Sequence, residues 1–243
     1  MKNQLKFPKM LFLITTFLVP ILASADSSAT LTLPGLGTKE IVGKVDGVEI
    51  ETMVQSPSAQ TTPLQIVCLF EYTEGDIFNS PPALPKELNG LVHVDEALNG
   101  LITELRKTNK FEGHALETLL IIPPKNTITA NKLLLIGLGN RNDFQPEMMR
   151  LIGIVGMRQA LRLGVTSYSH ASDLKDAGIS SPTADVAGYI IQGAIEAYRT
   201  QAFLKKQNAS DDLTVTKITL LSGPSYFEDS KNGIKKVINS MSK

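Results

Sequence analysis

The residues of this chain that could do chemistry are three histidines, one cysteine and a short glycine run. His93, His114 and His170 do not fall at the i, i+4 spacing with which a helix presents two imidazoles to a metal, and no cysteine or carboxylate cluster accompanies them. They are expected on the surface or in loops. Cys68 lies inside the apolar run Ile66-Val67-Cys68-Leu69-Phe70. Burial there disfavours a thiolate, so it reads as a small core residue rather than a nucleophile. As the only cysteine it can form no intramolecular disulfide. Gly223-Pro224-Ser225-Tyr226-Phe227 lacks the second glycine of a nucleophile elbow. Ser172-Asp173-Leu174-Lys175 has the Ser-x-x-Lys spacing, but without the companion motifs of the serine enzymes that use it.

Two places suit a small anion. Gly137-Leu138-Gly139-Asn140 closes a strand and precedes a helix, where bare backbone could approach a phosphate. Asn142 stands where a dinucleotide fingerprint would carry its third glycine, and a tight strand-to-helix turn explains the glycines as well. Glu74-Gly75-Asp76-Ile77 follows another strand. Asp76 could receive a ribose or adenine donor, although Gly-Asp is also ordinary turn chemistry. Gly137, Gly139, Asn140 and Asp76 are the candidate ligand-binding residues. No catalytic residue, metal ligand or cofactor is expected.

The elements that would carry these residues follow from periodicity. Ile41 to Val45 and Val48 to Val54 are strand-like and meet at Asp46-Gly47, a two-residue hairpin signal. Leu64 to Phe70 is apolar except at Gln65, as in a central strand. Val94 to Leu105 carries Leu98, Leu101, Ile102 and Leu105 at helical spacing. Strands are expected at Glu117 to Ile122, Lys132 to Leu138, Thr166 to Ser169 and Val215 to Leu221. Helices are expected from Pro146 to Leu163, Ala184 to Lys206 and Phe227 to Met241. Gly153 and Gly156 would weaken the first of these by propensity and would let a neighbour approach closely. This order predicts an α/β fold, a three-layer α/β/α sandwich with a mixed sheet.

The N-terminus predicts export. Lys2, Lys6 and Lys9 precede an apolar core from Met10 to Leu22, and Ala23-Ser24-Ala25 offers a small-x-small cleavage site. The core is shorter than a membrane span and is broken by Pro20, so no stable anchor is expected after cleavage. Residues 1–25 thus read as a signal peptide, 26–40 as a flexible leader and 41–243 as the domain. The localisation expected is periplasmic or secreted. Loss of three lysines leaves 21 Lys and Arg against 24 Asp and Glu. A slightly acidic chain of that kind argues against a nucleic-acid partner.

Several segments together resemble the N-terminal domain of the leucyl aminopeptidase family. They are Leu98-Asn99-Gly100-Leu101-Ile102, Phe111-Glu112-Gly113, Glu117-Thr118-Leu119-Leu120 and Leu134-Leu135-Ile136-Gly137-Leu138-Gly139, in that order. The helix after Pro146 fits the same pattern, as do Gly193 with Ala197-Tyr198-Arg199 and the strand Lys217 to Leu221. Thr200 replaces a phenylalanine usual in the family. The likeness runs from about Val45 to Ser240. It implies a macro-domain-like fold. It also implies that catalysis belongs to a separate two-metal domain, whose signature Asn-Thr-Asp-Ala-Glu-Gly-Arg-Leu is not found in these residues. The function expected is therefore non-catalytic: protein binding, self-association or regulation. The alternatives are a nucleotide or ADP-ribose-like ligand, or service as the accessory subunit of a metal-dependent aminopeptidase.

Overall fold

In the computed structural model, residues 32–73, 84–172 and 174–241 are described. Residues 1–31, Asp76 and Asp173 lie outside them. The signal segment, the first six residues of the leader and the Glu74 to Ile77 motif therefore fall outside as well, as does Asp173 of the Ser-x-x-Lys motif.

Backbone pairing joins seven strands into one sheet. Its strands are β1 (Lys39–Val45), β2 (Val48–Val54), β3 (Gln65–Leu69), β4 (Thr118–Ile121), β5 (Leu133–Gly137), β6 (Ser167–Ala171) and β7 (Lys217–Ser222). They lie in the order β1-β2-β7-β6-β3-β5-β4. The five middle strands are parallel, and the two edge strands β1 and β4 run antiparallel to their neighbours, so the sheet is mixed as expected. Asp46 and Gly47 both take positive φ and close the β1–β2 hairpin with Val45 opposite Val48. Such a turn matches the twist of its strands.

Successive side chains of a strand point to opposite faces. Ile66, Cys68, Leu134 and Ile136 face one core, under α3 (Met148–Arg162), α4 (Thr183–Lys206) and α5 (Phe227–Met241). Val67, Leu69, Leu133 and Leu135 face a smaller core under α1 (Gly90–Ala97) and α2 (Leu101–Lys107). This is the three-layer α/β/α sandwich.

The helices cross on glycines. A methyl group at Gly193 would lie 1.9 Å from the Arg150 carbonyl oxygen, and one at Gly153 would lie 2.1 Å from that of Ile190. α3 and α4 are therefore in backbone contact. Gly233 of α5 stands in the same relation to Ala184 of α4, also at 1.9 Å. The close approach read from Gly153 is realised by α4.

One expectation is corrected. The stripe from Val94 to Leu105 is not one helix but two, broken at Asn99 and Gly100, which adopt φ of 56° and 80°. Leu98 and Ile102 still reach the same core. The break lets the buried Asp95 carboxylate accept from the amides of Ile102 (2.8 Å) and Thr103 (3.1 Å) and from the Thr103 hydroxyl (2.6 Å). A continuous helix would leave that carboxylate buried without these donors, so the turn chemistry of Asn-Gly prevails over the apolar period.

Candidate functional site

In open parallel sheets, ligands bind beyond the carboxyl ends of the strands. There β3 continues into Phe70 to Tyr72 and β5 into Leu138 to Asn140, and the segment from Phe111 to Glu117 lies against both. The Gly139 amide donates to the Gly113 carbonyl at 2.9 Å, and the Gly137 amide donates to that of Glu117 at 2.8 Å. A side chain on Gly137 would meet the His114 carbonyl oxygen at 1.9 Å, and one on Gly113 would meet that of Phe70 at 2.5 Å. The Phe-x-Gly and Gly-Leu-Gly motifs are thus two halves of one contact, and the glycines admit the chain's own backbone. Asn140 is exposed and forms a turn, its side-chain oxygen accepting from the Asn142 amide at 2.9 Å. The structure brings Gly137, Gly139 and Asn140 together.

An anion nest exists beside them and is filled. The amides of Glu112 (3.1 Å), Gly113 (2.8 Å) and His114 (3.0 Å) all donate to one carboxylate oxygen of Glu117. Successive amides of this kind form a concavity for negative charge. His114 lies exposed between Glu71 (2.9 Å) and Glu112 (3.1 Å). Its hydrogen bond to Glu71, aided by the charges of Glu112 and Glu117, raises its pKa above the usual imidazole value. Arg106 lies buried nearby. It donates to the Phe70 carbonyl at 2.9 Å and sits 5.1 Å from the Tyr72 ring centre. Gly223 to Tyr226 forms a short 3-10 turn entering α5, with Ser225 exposed. Among the described residues, no group of three or more His, Cys, Asp or Glu side chains is placed to hold a metal.

His170 corrects the sequence reading. It is not a surface histidine but is fully buried in β6, with Nε2 3.4 Å from the Cys68 sulfur. Burial lowers its pKa to about 3, so the ring is neutral. The signal was weak, because Ser167-Tyr168-Ser169-His170-Ala171 reads as a polar strand, and only β3 and β7 on either side reveal the burial.

A second place escaped the sequence entirely. β2, β6 and β7 turn Glu51, Ser167, Ser169, Lys217 and Thr219 to the face that α1 and α2 leave uncovered, and these line a cleft of about 390 Å³. Glu51 is buried there. Its oxygens accept from Lys217 Nζ (2.8 Å) and the Thr219 hydroxyl (3.0 Å), and Glu49 adds a second carboxylate to Lys217 at 3.2 Å. Burial opposes the Lys217 charge, but the bonds to Glu51 and Glu49 outweigh it and raise the pKa, so the ammonium persists.

Comparison with known proteins gives a consistent result. Residues 78–207 match the family model described as "Cytosol aminopeptidase family, N-terminal domain". A probable cytosol aminopeptidase of Roseiflexus castenholzii is 27% identical over 142 residues, covering 58% of this chain and 28% of that protein. The chain spans about a quarter of the length of the curated relatives it matches. Among solved structures, a tomato leucine aminopeptidase variant superposes with a TM-score of 0.57 at 17% identity, covering 87% of this chain and 38% of that one. An Oceanobacillus iheyensis macrodomain with MES bound gives 0.55 at 14% identity, covering 84% and 98%. These likenesses establish a macrodomain-like fold.

Proposed function

The chain belongs to the cytosol aminopeptidase family through its N-terminal domain, and on that premise we propose that it works by protein association, outside the cytoplasm, rather than by chemistry of its own. The observation that carries this reading is the outer edge of β4. Leu119 and Ile121 pack on the α1–α2 core, whereas Leu120 and Ile122, of opposite parity, are 40% and 66% exposed, and Leu116 is exposed beside them. β4 pairs only with β5 among the described residues. An unpaired, apolar strand edge without a charge along Thr118–Ile121 is a ready template for another strand. Two copies meeting there would form a symmetric, antiparallel continuation of the sheet.

The chain is expected to sediment as a dimer or larger at tens of micromolar. Leu120→Asp combined with Ile122→Asp should return it to monomer with an unchanged circular dichroism spectrum, because neither side chain belongs to either buried core. A wild-type chain monomeric up to about 100 µM would remove this reading.

The macrodomain likeness offers a nucleotide-type ligand near Gly137, Gly139, Asn140 and Asp76 as a second reading. The Gly137 and Gly139 amides bond within the chain and the adjoining nest holds Glu117, so association is preferred. Export is supported by the lysine-flanked apolar core before Ala23-Ser24-Ala25. Protein recovered from periplasm or medium should begin at Asp26 by N-terminal sequencing. An intact Met1 end on a cytoplasmic protein would contradict it.

A further inference from the structure

Parallel sheets are normally covered on both faces. Here the parallel strands β2, β7 and β6 are covered on one face by α4 and α5, while α1 and α2 pack on β3, β4 and β5 instead of on their other face. The cause lies in the connection from β2 to β3. Parallel strands are usually joined by a helix that packs on the sheet, but residues 55–64 contain none. They pass toward β3 as an irregular segment tied down by the Thr129 amide to the Ser58 carbonyl (3.2 Å) and by the Asn131 amide to that of Thr62 (3.0 Å). This segment walls the cleft of about 390 Å³ on one side, and Lys39 of β1 also lines it.

The floor is built for polar contact. Ser169 is 1% exposed, lines the cleft, and its hydroxyl makes no hydrogen bond to any described residue. Buried polar groups are normally satisfied, by protein or by something bound. Lys39 makes no ion pair within the described residues, whereas Lys217 is neutralised by Glu49 and Glu51. The cleft therefore offers one uncommitted cation at its side, hydroxyls that can both donate and accept, and the Glu51 carboxylate with remaining lone-pair sites. A small body with a carboxylate at one end and amide or ammonium groups behind it complements that set.

We propose that this cleft binds a free amino acid or short polar peptide, with the ligand's carboxylate at Lys39 and its amide or ammonium groups over Ser169 and Glu51. The site is independent of the β4 edge and of association there. It is tested by ¹⁵N NMR titration of the full chain with triglycine, glycine, triglycine amide and acetate. Triglycine or glycine should shift the Ser167, Ser169 and Lys217 amides saturably, and the stronger of the two identifies the source as peptide or amino acid. Triglycine amide, which lacks the carboxylate, should bind about tenfold more weakly, as should triglycine to Lys39→Ala; such a loss is what one charge-assisted pair supplies. Lys39 is exposed, so this variant keeps the fold. The proposal falls if neither triglycine nor glycine shifts these amides by about 10 mM, if the amide binds as well as the acid, if acetate alone reproduces the response, or if Lys39→Ala binds unchanged.

Discussion

Gly193→Ala is expected to destabilise the domain by about 3 kcal/mol, the upper range of overpacking. Helix propensity predicts the opposite sign, since alanine is favoured over glycine inside a helix by about 1 kcal/mol. The geometry decides between them. The new methyl group would lie 1.9 Å from the Arg150 carbonyl oxygen and 3.0 Å from the Ile154 amide nitrogen. Both belong to α3 backbone, which cannot swing aside as a side-chain tip can. Either α3 separates from α4, opening the larger core, or the helices bend. Gly233→Ala meets the Ala184 carbonyl at the same distance and should behave alike. Gly156→Ala meets the Ile66 Cδ1 atom at 2.9 Å, a movable side-chain tip, and next His170 Nδ1 at an ordinary 4.0 Å, and should lose much less. For a domain of this size the first two changes lower Tm by about 6–12 °C. A rise in Tm for Gly193→Ala would mean that the helices do not touch through their backbones.

Acid sensitivity is the second large effect, and it comes from His170. In the unfolded chain its imidazole takes up a proton near pH 6.5, while burial in the fold holds it neutral down to about pH 3. Protons therefore favour unfolding throughout that interval. The stabilising contribution is complete above pH 6.5 and is lost as pH falls toward 3, at about 1.4 kcal/mol per pH unit. Moving from pH 7 to pH 4.5 should remove about 2–3 kcal/mol by urea denaturation. His170→Gln keeps a polar group beside Cys68 without this titration, so its stability should change much less over the same range, whatever its absolute value. The exposed His114, whose pKa is raised, acts in the opposite sense. Equal slopes for wild type and His170→Gln would show that the imidazole is not held neutral by the core.

The sheet was legible because its signals are local. The apolar runs at β3 and β5, interrupted in β3 only by Gln65, are buried at every position, and Asp46-Gly47 closes the hairpin its composition implies. The paired helix glycines were legible as an invitation to close packing, though not in their partners, because Gly153 and Ile190 lie far apart in the chain. The α1–α2 break was written in Asn99-Gly100, but the apolar stripe continues across it, and what decides is the satisfaction of buried Asp95. At the strand ends the sequence shows glycines that admit a close neighbour without saying whether that neighbour is a ligand or the segment from Gly113 to Glu117. His170 and the Glu51–Lys217 cleft were illegible for a common reason. Each is assembled across strands distant in sequence, and neither strand carries the meaning alone.

Association through β4 is the central claim, and hydrogen exchange read segment by segment tests it most directly. The chain is compared at low micromolar and at about 100 µM, where the free and associated forms should separate. Amides of Thr118–Ile121 should exchange more slowly at the higher concentration, and the Leu120→Asp, Ile122→Asp variant should show no such difference. Concentration-dependent protection elsewhere, with β4 unchanged, would contradict the account.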